Sequence, residues 1–219
     1  MNAVVRPATA ADLSSAADVL AQAFRDYAWT RYVIPEENYP DRLRELQYLY
    51  LSHALSHGFV ALTEDLDGVI ALLPPDASDP DEAALERILA LHGDRTSRLQ
   101  SGAAVTDQAG GDDRAAWTLE TVGVRPAGQG RGLGGALVAF GLAEAHARGA
   151  AYVRLETSDE RNVRLYRRYG FEVTGRADRP GGPRVWRMRA TVPGLHDDGV
   201  SLVTTASSAA SSVVPTTTP

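Results

Sequence analysis

The amino-acid sequence predicts an α/β domain followed by a polar tail, on three observations. Along residues 1–191, apolar residues recur at the two-residue spacing of strands and, between them, at the three-to-four-residue spacing of amphipathic helices. A glycine-dense turn at 128–135 stands between a strand-like and a helix-like segment. Past Val192 the composition changes, and ten of the last twenty residues are Ser or Thr. Such a segment has too little apolar surface to offset its ordering entropy, so 192–219 reads as a disordered tail.

Val4 and Val5 suit a short strand closed by Pro7. Thr9 and Asp12 form a capping-box pattern before Leu13, Ala16, Ala17, Leu20 and Phe24, one face of a helix. Residues 26–39 are polar and aromatic. A second helix starts near Pro40 and Asp41, carries Leu43, Leu46, Tyr50 and Ala54 on one side, and stops at Gly58. Phe59–Thr63 and 69–73 flank a short acidic turn and read as a hairpin. Residues 81–91 suggest a third helix, and 93–114 a polar loop with some helix. Trp117–Val124 is a strand and 132–148 a helix with Leu133, Leu137, Phe140 and Ala147 inward. Tyr152–Thr157 is a strand, 162–169 a short helix closed by Gly170, and 171–176 another strand. The segment 184–189 completes a sheet edge.

The chain has 219 residues, 44% hydrophobic and 23% charged, which is ordinary for a globular protein. A net charge of −6 with no clustered Lys and Arg argues against a nucleic-acid partner. The absence of cysteine removes disulfides and thiolate chemistry and suits a reducing cytoplasm. Neither a signal-like apolar segment at the N-terminus nor a membrane-length apolar run is evident, so no membrane role is expected. His53 and His57 stand one helical turn apart, but no third ligand accompanies them, so a solvated helix face is expected and no metal.

Gln129, Gly130, Arg131, Gly132, Leu133, Gly134 and Gly135 open the fourth helix. A helix N-terminus exposes unpaired N–H groups and partial positive charge, and glycines let the main chain approach an anion. Arg131 could add a charged contact. The inference is a phosphate or pyrophosphate site. Gly130, Gly132 and Gly135 also satisfy a dinucleotide-binding pattern with Glu156 downstream. That reading is the weaker, because five residues separate the strand from the first glycine and too few βαβ units follow.

The pattern Gln129-x-x-Gly132-x-Gly134, preceded by Val122-Gly123-Val124, and the later Asn162 with Tyr166-x-x-x-Gly170-Phe171 resemble the two acetyl-CoA motifs of the GNAT acetyltransferase superfamily. The resemblance covers residues 3–191. It implies a mixed central sheet splayed between the fourth and fifth strands, with helices on both faces. It implies that Val122, Gly123 and Val124 hold the pantetheine arm and that Gln129 to Gly135 hold the pyrophosphate. Asn162 would contact the cofactor, and Tyr166 would protonate the departing thiolate of CoA. The amine also needs a base. Glu120, which by strand alternation shares a face with Val122 and Val124, and Glu156 are the candidates; either could instead be paired with an arginine.

Within the superfamily the chain is most similar to puromycin N-acetyltransferase and its relatives, through residues 21–27, 45–47, 121–124, 155–158 and 182–184. Leu72 and Glu120 depart from that pattern. The likeness implies a small-molecule amine acceptor, such as an aminonucleoside, and an acceptor pocket lined by Phe24, Tyr27, Trp29 and Tyr32. A monomer or homodimer is expected. A protein or peptide N-acetyltransferase, and a non-catalytic acetyl-CoA-binding regulatory module, are the other readings.

Overall fold

A computed structural model describes residues 3–99, 115–179 and 181–192. Residues 193–219 of the tail expected at 192–219, and residues 100–114 of the loop expected at 93–114, lie outside the described residues.

The chain runs β1 (Val5–Pro7), α1 (Leu13–Ala23), α2 (Ala28–Val33), α3 (Tyr39–His57), β2 (Phe59–Thr63), β3 (Gly68–Leu73) and α4 (Glu82–His92). It continues with β4 (Trp117–Val124), α5 (Leu133–Ala147), β5 (Tyr152–Thr157), α6 (Glu160–Arg167), β6 (Glu172–Ala177) and β7 (Val185–Thr191). The aromatic stretch after α1 thus contains a helix that its irregular apolar spacing did not announce.

Local chemistry sets several of these boundaries. The Asp12 carboxylate accepts from the Thr9 N–H at 2.8 Å and from the Arg6 guanidinium at 2.8 Å, fixing the entry to α1. Those same contacts hold the Asp12 carboxyl well below the usual carboxylate range, with the Arg6 hydrogen bond the main cause. The buried Thr63 hydroxyl accepts from the N–H groups of Asp67 and Gly68, both at 3.0 Å, and closes the β2–β3 turn. Gly58 ends α3 for a steric reason: a Cβ there would lie 2.1 Å from the Leu72 carbonyl oxygen.

All seven strands form one mixed sheet in the order β1-β2-β3-β4-β5-β7-β6. The segment expected to complete the edge, β7, lies inside the sheet, between β5 and β6, and β6 is the edge. Six residue pairs join β7 to β5, so the final strand crosses over the one before it. Helices cover both faces. Phe59, Ala61, Ile70 and Leu72 pack with Leu137 and Val138 of α5. Val60, Leu62, Val69 and Ala71 pack with Leu13, Ala17 and Leu20 of α1 and with Leu51 of α3. A third cluster joins Val33, Ile34, Leu43, Leu46, Ile88 and Leu91 across α2, α3 and α4. Ala147, expected inward on α5, is exposed; the buried stripe there runs through Leu137, Gly141 and Ala145.

The parallel pair β4–β5 is joined only at Trp117↔Val153 and Thr118↔Arg154. From Leu119 onward β4 keeps β3 as its neighbour while its other edge is open, so the sheet splays between the fourth and fifth strands.

Candidate active site

The open edge of β4 presents specific peptide groups. Arg125 donates its N–H to the Asp67 carbonyl on the β3 side at 2.9 Å. Successive peptide groups of a strand point to opposite sides. By that alternation the N–H and C=O of Val124 and Val122 face the opening. The Gln129 side-chain amide donates to the Val124 carbonyl at 3.0 Å and caps the end of this edge.

Beyond it the chain makes the glycine turn. Gly130 and Gly132 have φ of 78° and 82°, which side chains other than glycine rarely adopt, and a Cβ at either would meet only open space. Gly132 is the N-cap of α5, so the N–H groups of Leu133, Gly134 and Gly135 start the helix without backbone partners inside it. Arg131 does not project as a free cation: its guanidinium pairs with Asp67 at 2.7 Å and Asp65 at 3.3 Å.

Where β4 and β5 separate there is a cavity of about 480 Å³. Phe24, Tyr27 and Trp29 line it, whereas Tyr32 does not. Tyr32 instead lies against Gly182, whose added Cβ would stand 2.7 Å from its ring, and beneath Arg98.

The Tyr27 side chain ties the α1–α2 corner to the end of β5: its oxygen accepts from the Ser158 N–H at 2.7 Å and lies 3.1 Å from the Thr157 hydroxyl. The amide of Asn162 donates to the same Thr157 hydroxyl at 3.3 Å. Beside them Tyr166 is 5% exposed and lines the cavity, and its hydroxyl makes no hydrogen bond to another described residue. Burial pushes the Tyr166 phenol well above its ordinary value, with Tyr27 adding to the effect. The hydroxyl therefore keeps its proton throughout the working pH range.

Glu120 sits at the mouth of the split. Leu72 pairs with Leu119 and Ala71 with Thr121, so Glu120 is an extra residue, a β-bulge. The bulge interrupts the regular alternation. Leu119, Val122 and Val124 pack with the α5-side cluster, and Thr118, Leu119, Glu120, Thr121 and Val122 all line the cavity. The carboxylate is reached from the open cleft, yet protein atoms crowd it on most sides. That crowding raises its carboxyl, opposed by Arg154 and reinforced by Glu156.

Glu156 lines the same cavity but accepts from Arg187 Nε at 3.1 Å, so it is the paired carboxylate of the two. Arg154 donates from Nε to the Thr118 hydroxyl at 3.0 Å.

Sequence reasoning missed the part of the wall that α3 and α4 supply. It is built by Gln47, Tyr50 and His53 of α3 and His92 of α4. Gln47 sits one turn from Leu43 and one from Leu51, a polar residue inside an apolar stripe, which was the available signal. Of the two histidines on α3, only His53 reaches the cavity; their rings stack at 4.4 Å. Among the described residues no group of three or more His, Cys, Asp and Glu converges as metal ligands. No helix there is long and apolar enough to cross a membrane.

Chemically, the site offers a β-edge for an extended ligand, a helix N-terminus for an anion, one protonated phenol and one unpaired carboxylate. Residues 88–173 match the family profile described as the acetyltransferase (GNAT) domain.

Solved structures agree along nearly the whole fold. A Corynebacterium glutamicum protein described as histone acetyltransferase HPA2 and related acetyltransferase superposes with a TM-score of 0.69 at 26% identity, covering 90% of this chain and 99% of that one. A Drosophila melanogaster polyamine N-acetyltransferase, which forms N-acetylagmatine, gives 0.61 at 20% identity, over 86% and 99%. A Salmonella typhimurium putative acetyltransferase, solved with acetyl-CoA, gives 0.51 at 17% identity, over 92% and 100%. The latter two likenesses speak to the fold. The profile match over 88–173 marks an acyltransferase domain, and the chain is similar to GNAT acetyltransferases in that segment and in its fold.

Proposed function

We propose that the protein is a cytoplasmic N-acetyltransferase that uses acetyl-CoA to acetylate the primary amine of a small molecule, with an aminonucleoside such as puromycin as the first acceptor to test. The observation that carries this reading is spatial. The β4 edge left free of strand pairing at Val122 and Val124 leads at one end to the glycine turn and at the other to a cavity holding both Tyr166 and Glu120.

The residues present fit acetyl-CoA. An extended pantetheine can add to the β4 edge as a further strand. A diphosphate suits the positive-φ glycines and free amides at the start of α5, where no Cβ intrudes. Asn162 and Thr157, hydrogen-bonded to each other and lining the cavity, would contact the arm. Acetyl-CoA supplies the activated acetyl group and leaves as CoA.

Glu120 takes the proton that the ammonium must lose before its nitrogen can attack the acyl carbon. Its raised affinity for a proton makes it a better base than an ordinary carboxylate. Tyr166 gives its hydroxyl proton to the sulfur as the C–S bond breaks and charge develops there. The crowded site favours that transfer by position. Counted from the ammonium, one N–C bond forms, one C–S bond breaks and two protons leave nitrogen: one replaces the proton Tyr166 gives to sulfur, and the other passes through Glu120 to solvent. Glu156, held by Arg187, sets the field around Glu120. Phe24, Tyr27 and Trp29 hold the body of the acceptor.

The volume supports a small acceptor, since about 480 Å³ lies within the ~300–1,000 Å³ range of small-molecule sites. The test is the product mass after incubation with acetyl-CoA and a panel of amines that includes puromycin and amine-terminated peptides. A product heavier by one acetyl on a small amine is expected. Acetylation of peptides alone, or CoA-thioester binding with no turnover on any amine, would overturn the proposal.

A further inference from the structure

Gln47 is only 7% exposed and lines the cavity, and its amide has no hydrogen-bond partner among the described residues. The amide is not sealed among protein atoms but is reached from the cavity, so its donors and acceptor are open to a bound molecule. One turn along α3, Tyr50 lines the same wall.

Tyr50 is oriented by His92. The His92 Nδ1 lies 2.8 Å from the Val33 carbonyl, which can only accept, so Nδ1 carries the proton and Nε2 is a bare acceptor. Burial lowers the His92 pKa and keeps the ring neutral. The Tyr50 hydroxyl, 3.4 Å from Nε2, therefore donates to it, which leaves the Tyr50 oxygen lone pairs free.

The charges around the cavity narrow the class of group recognised. Among the described residues the carboxylates lining it are Glu120 and Glu156, and Glu156 is already paired with Arg187. A second ammonium on the acceptor would thus meet no further anion among those residues, whereas a neutral donor matches the free lone pairs. Val33, Ile34, Leu46 and Trp29 give the wall an apolar and aromatic part, and Thr30, His53 and Thr121 add neutral polar groups.

The geometry points to a hydrogen-bonding subsite for the acceptor, formed by Gln47 and Tyr50, that selects amines whose apolar or aromatic body carries a hydroxyl or amide. The inference rests on the acetyltransfer reading above and adds the acceptor class to it. Gln47 and Tyr50 are specificity-determining residues, apart from the Tyr166–Glu120 pair.

The experiment compares kcat/KM for two matched pairs, tyramine against 2-phenylethylamine and 6-aminohexan-1-ol against hexylamine, at saturating acetyl-CoA. In the wild-type protein the hydroxylated member of at least one pair is favoured about 10-fold or more, because a site built to bond a hydroxyl discriminates against the analogue that lacks it. Gln47→Met, which keeps the volume and removes the amide, brings that ratio to within about 3-fold of unity. Should Gln47→Met fail to fold, Tyr50→Phe reads the same subsite at a residue 39% exposed and should also shrink the ratio.

Turnover of all four amines with no hydroxyl preference, or a preference unchanged in the variants, overturns the subsite and leaves the acetyltransfer reading standing. No acetylated product from any of the amines, with puromycin also inert, defeats that reading itself.

Discussion

Replacing Tyr166 by phenylalanine isolates one hydroxyl. The ring is buried, and it packs against Phe171 with centroids 5.5 Å apart, a contact that phenylalanine retains. The hydroxyl bonds no other described residue, so its removal orphans no donor or acceptor among them. The expected change in fold stability is therefore below about 1 kcal/mol, the scale of one net hydrogen bond. The kinetic effect should be far larger. A positioned general acid contributes ~10²–10⁴-fold, or about 2.7–5.4 kcal/mol of barrier.

Because burial raises the Tyr166 phenol, its proton stays on at any pH below about 10, the ordinary tyrosine value, and it should produce no descending limb in that range. The assay is continuous detection of released thiol, with kcat and the KM for acetyl-CoA determined for both proteins, and thermal unfolding run beside it. The expected outcome is kcat reduced at least ~100-fold, KM for acetyl-CoA within a small factor, and an unchanged Tm. A variant with kcat within about twofold of wild type would refute the assignment, because a structural tyrosine could account for that result.

Glu120→Gln should depress kcat/KM and remove the ascending acid limb of its pH profile. That limb should lie above the ordinary carboxylate range, since crowding raises the group. The same shift has a stability consequence of definite sign. A raised folded-state value favours the native protein fully below the unfolded value, near ~4.3, and the benefit is lost as pH rises through the folded value. Glu120→Gln should therefore have a higher Tm than wild type at pH 8 and nearly the same Tm at pH 4. A lower Tm at pH 8 would contradict the desolvation argument.

Gly58→Ala places a Cβ 2.1 Å from the Leu72 oxygen and 3.1 Å from the Leu73 Cα, both backbone atoms that cannot swing away. A cost of about 1–3 kcal/mol is expected, read as a lowered urea midpoint, and an unmoved midpoint would show that the α3–β2 corner shifts freely. At Gly135 an added Cβ would lie 2.2 Å from the Tyr169 hydroxyl. Gly135→Ala should destabilise alone but much less in a Tyr169→Phe background. A double-mutant cycle that proves additive would mean the two residues are not in contact.

The parts of the fold visible in the sequence were those encoded locally. The strand leading to the glycine turn, the turn itself and α5 follow from spacing and from glycine's access to positive φ at Gly130 and Gly132. The interior place of β7 was not legible, because strand order is fixed by pairing between segments far apart in the chain. The bulge at Glu120 was not legible for a related reason. Alternation assumes one residue of β4 per residue of β3, and the skip between Ala71 and Leu72 breaks that count by one. Tyr32 illustrates the limit of grouping aromatics by proximity in sequence: α2 turns Trp29 to the cavity and leaves Tyr32 under Gly182.

The splay and the glycine turn lie side by side. The first turn of α5 stands at the end of the open β4 edge. A Cβ on Gly134 would contact Leu165 of α6 at 3.7 Å and Val124 of β4 at 3.9 Å, so this turn lies between the end of β4 and the helix that follows β5. Gly135 stands close enough to Tyr169 that no side chain fits. The missing side chains thus serve two ends at once: they let the turn approach β4 and α6 closely, and they leave its N–H groups bare toward the opening. The bulge at Glu120 lies just past the last paired residues of β4, where the strand departs from β5. Separation of the strands creates the cavity, the bulge turns a carboxylate into it, and α6 carries Tyr166 to the other side. A site built this way depends on the backbone path more than on any one side chain. Acceptor preference can therefore vary through α3 residues such as Gln47 while the frame around β4 and α5 stays the same.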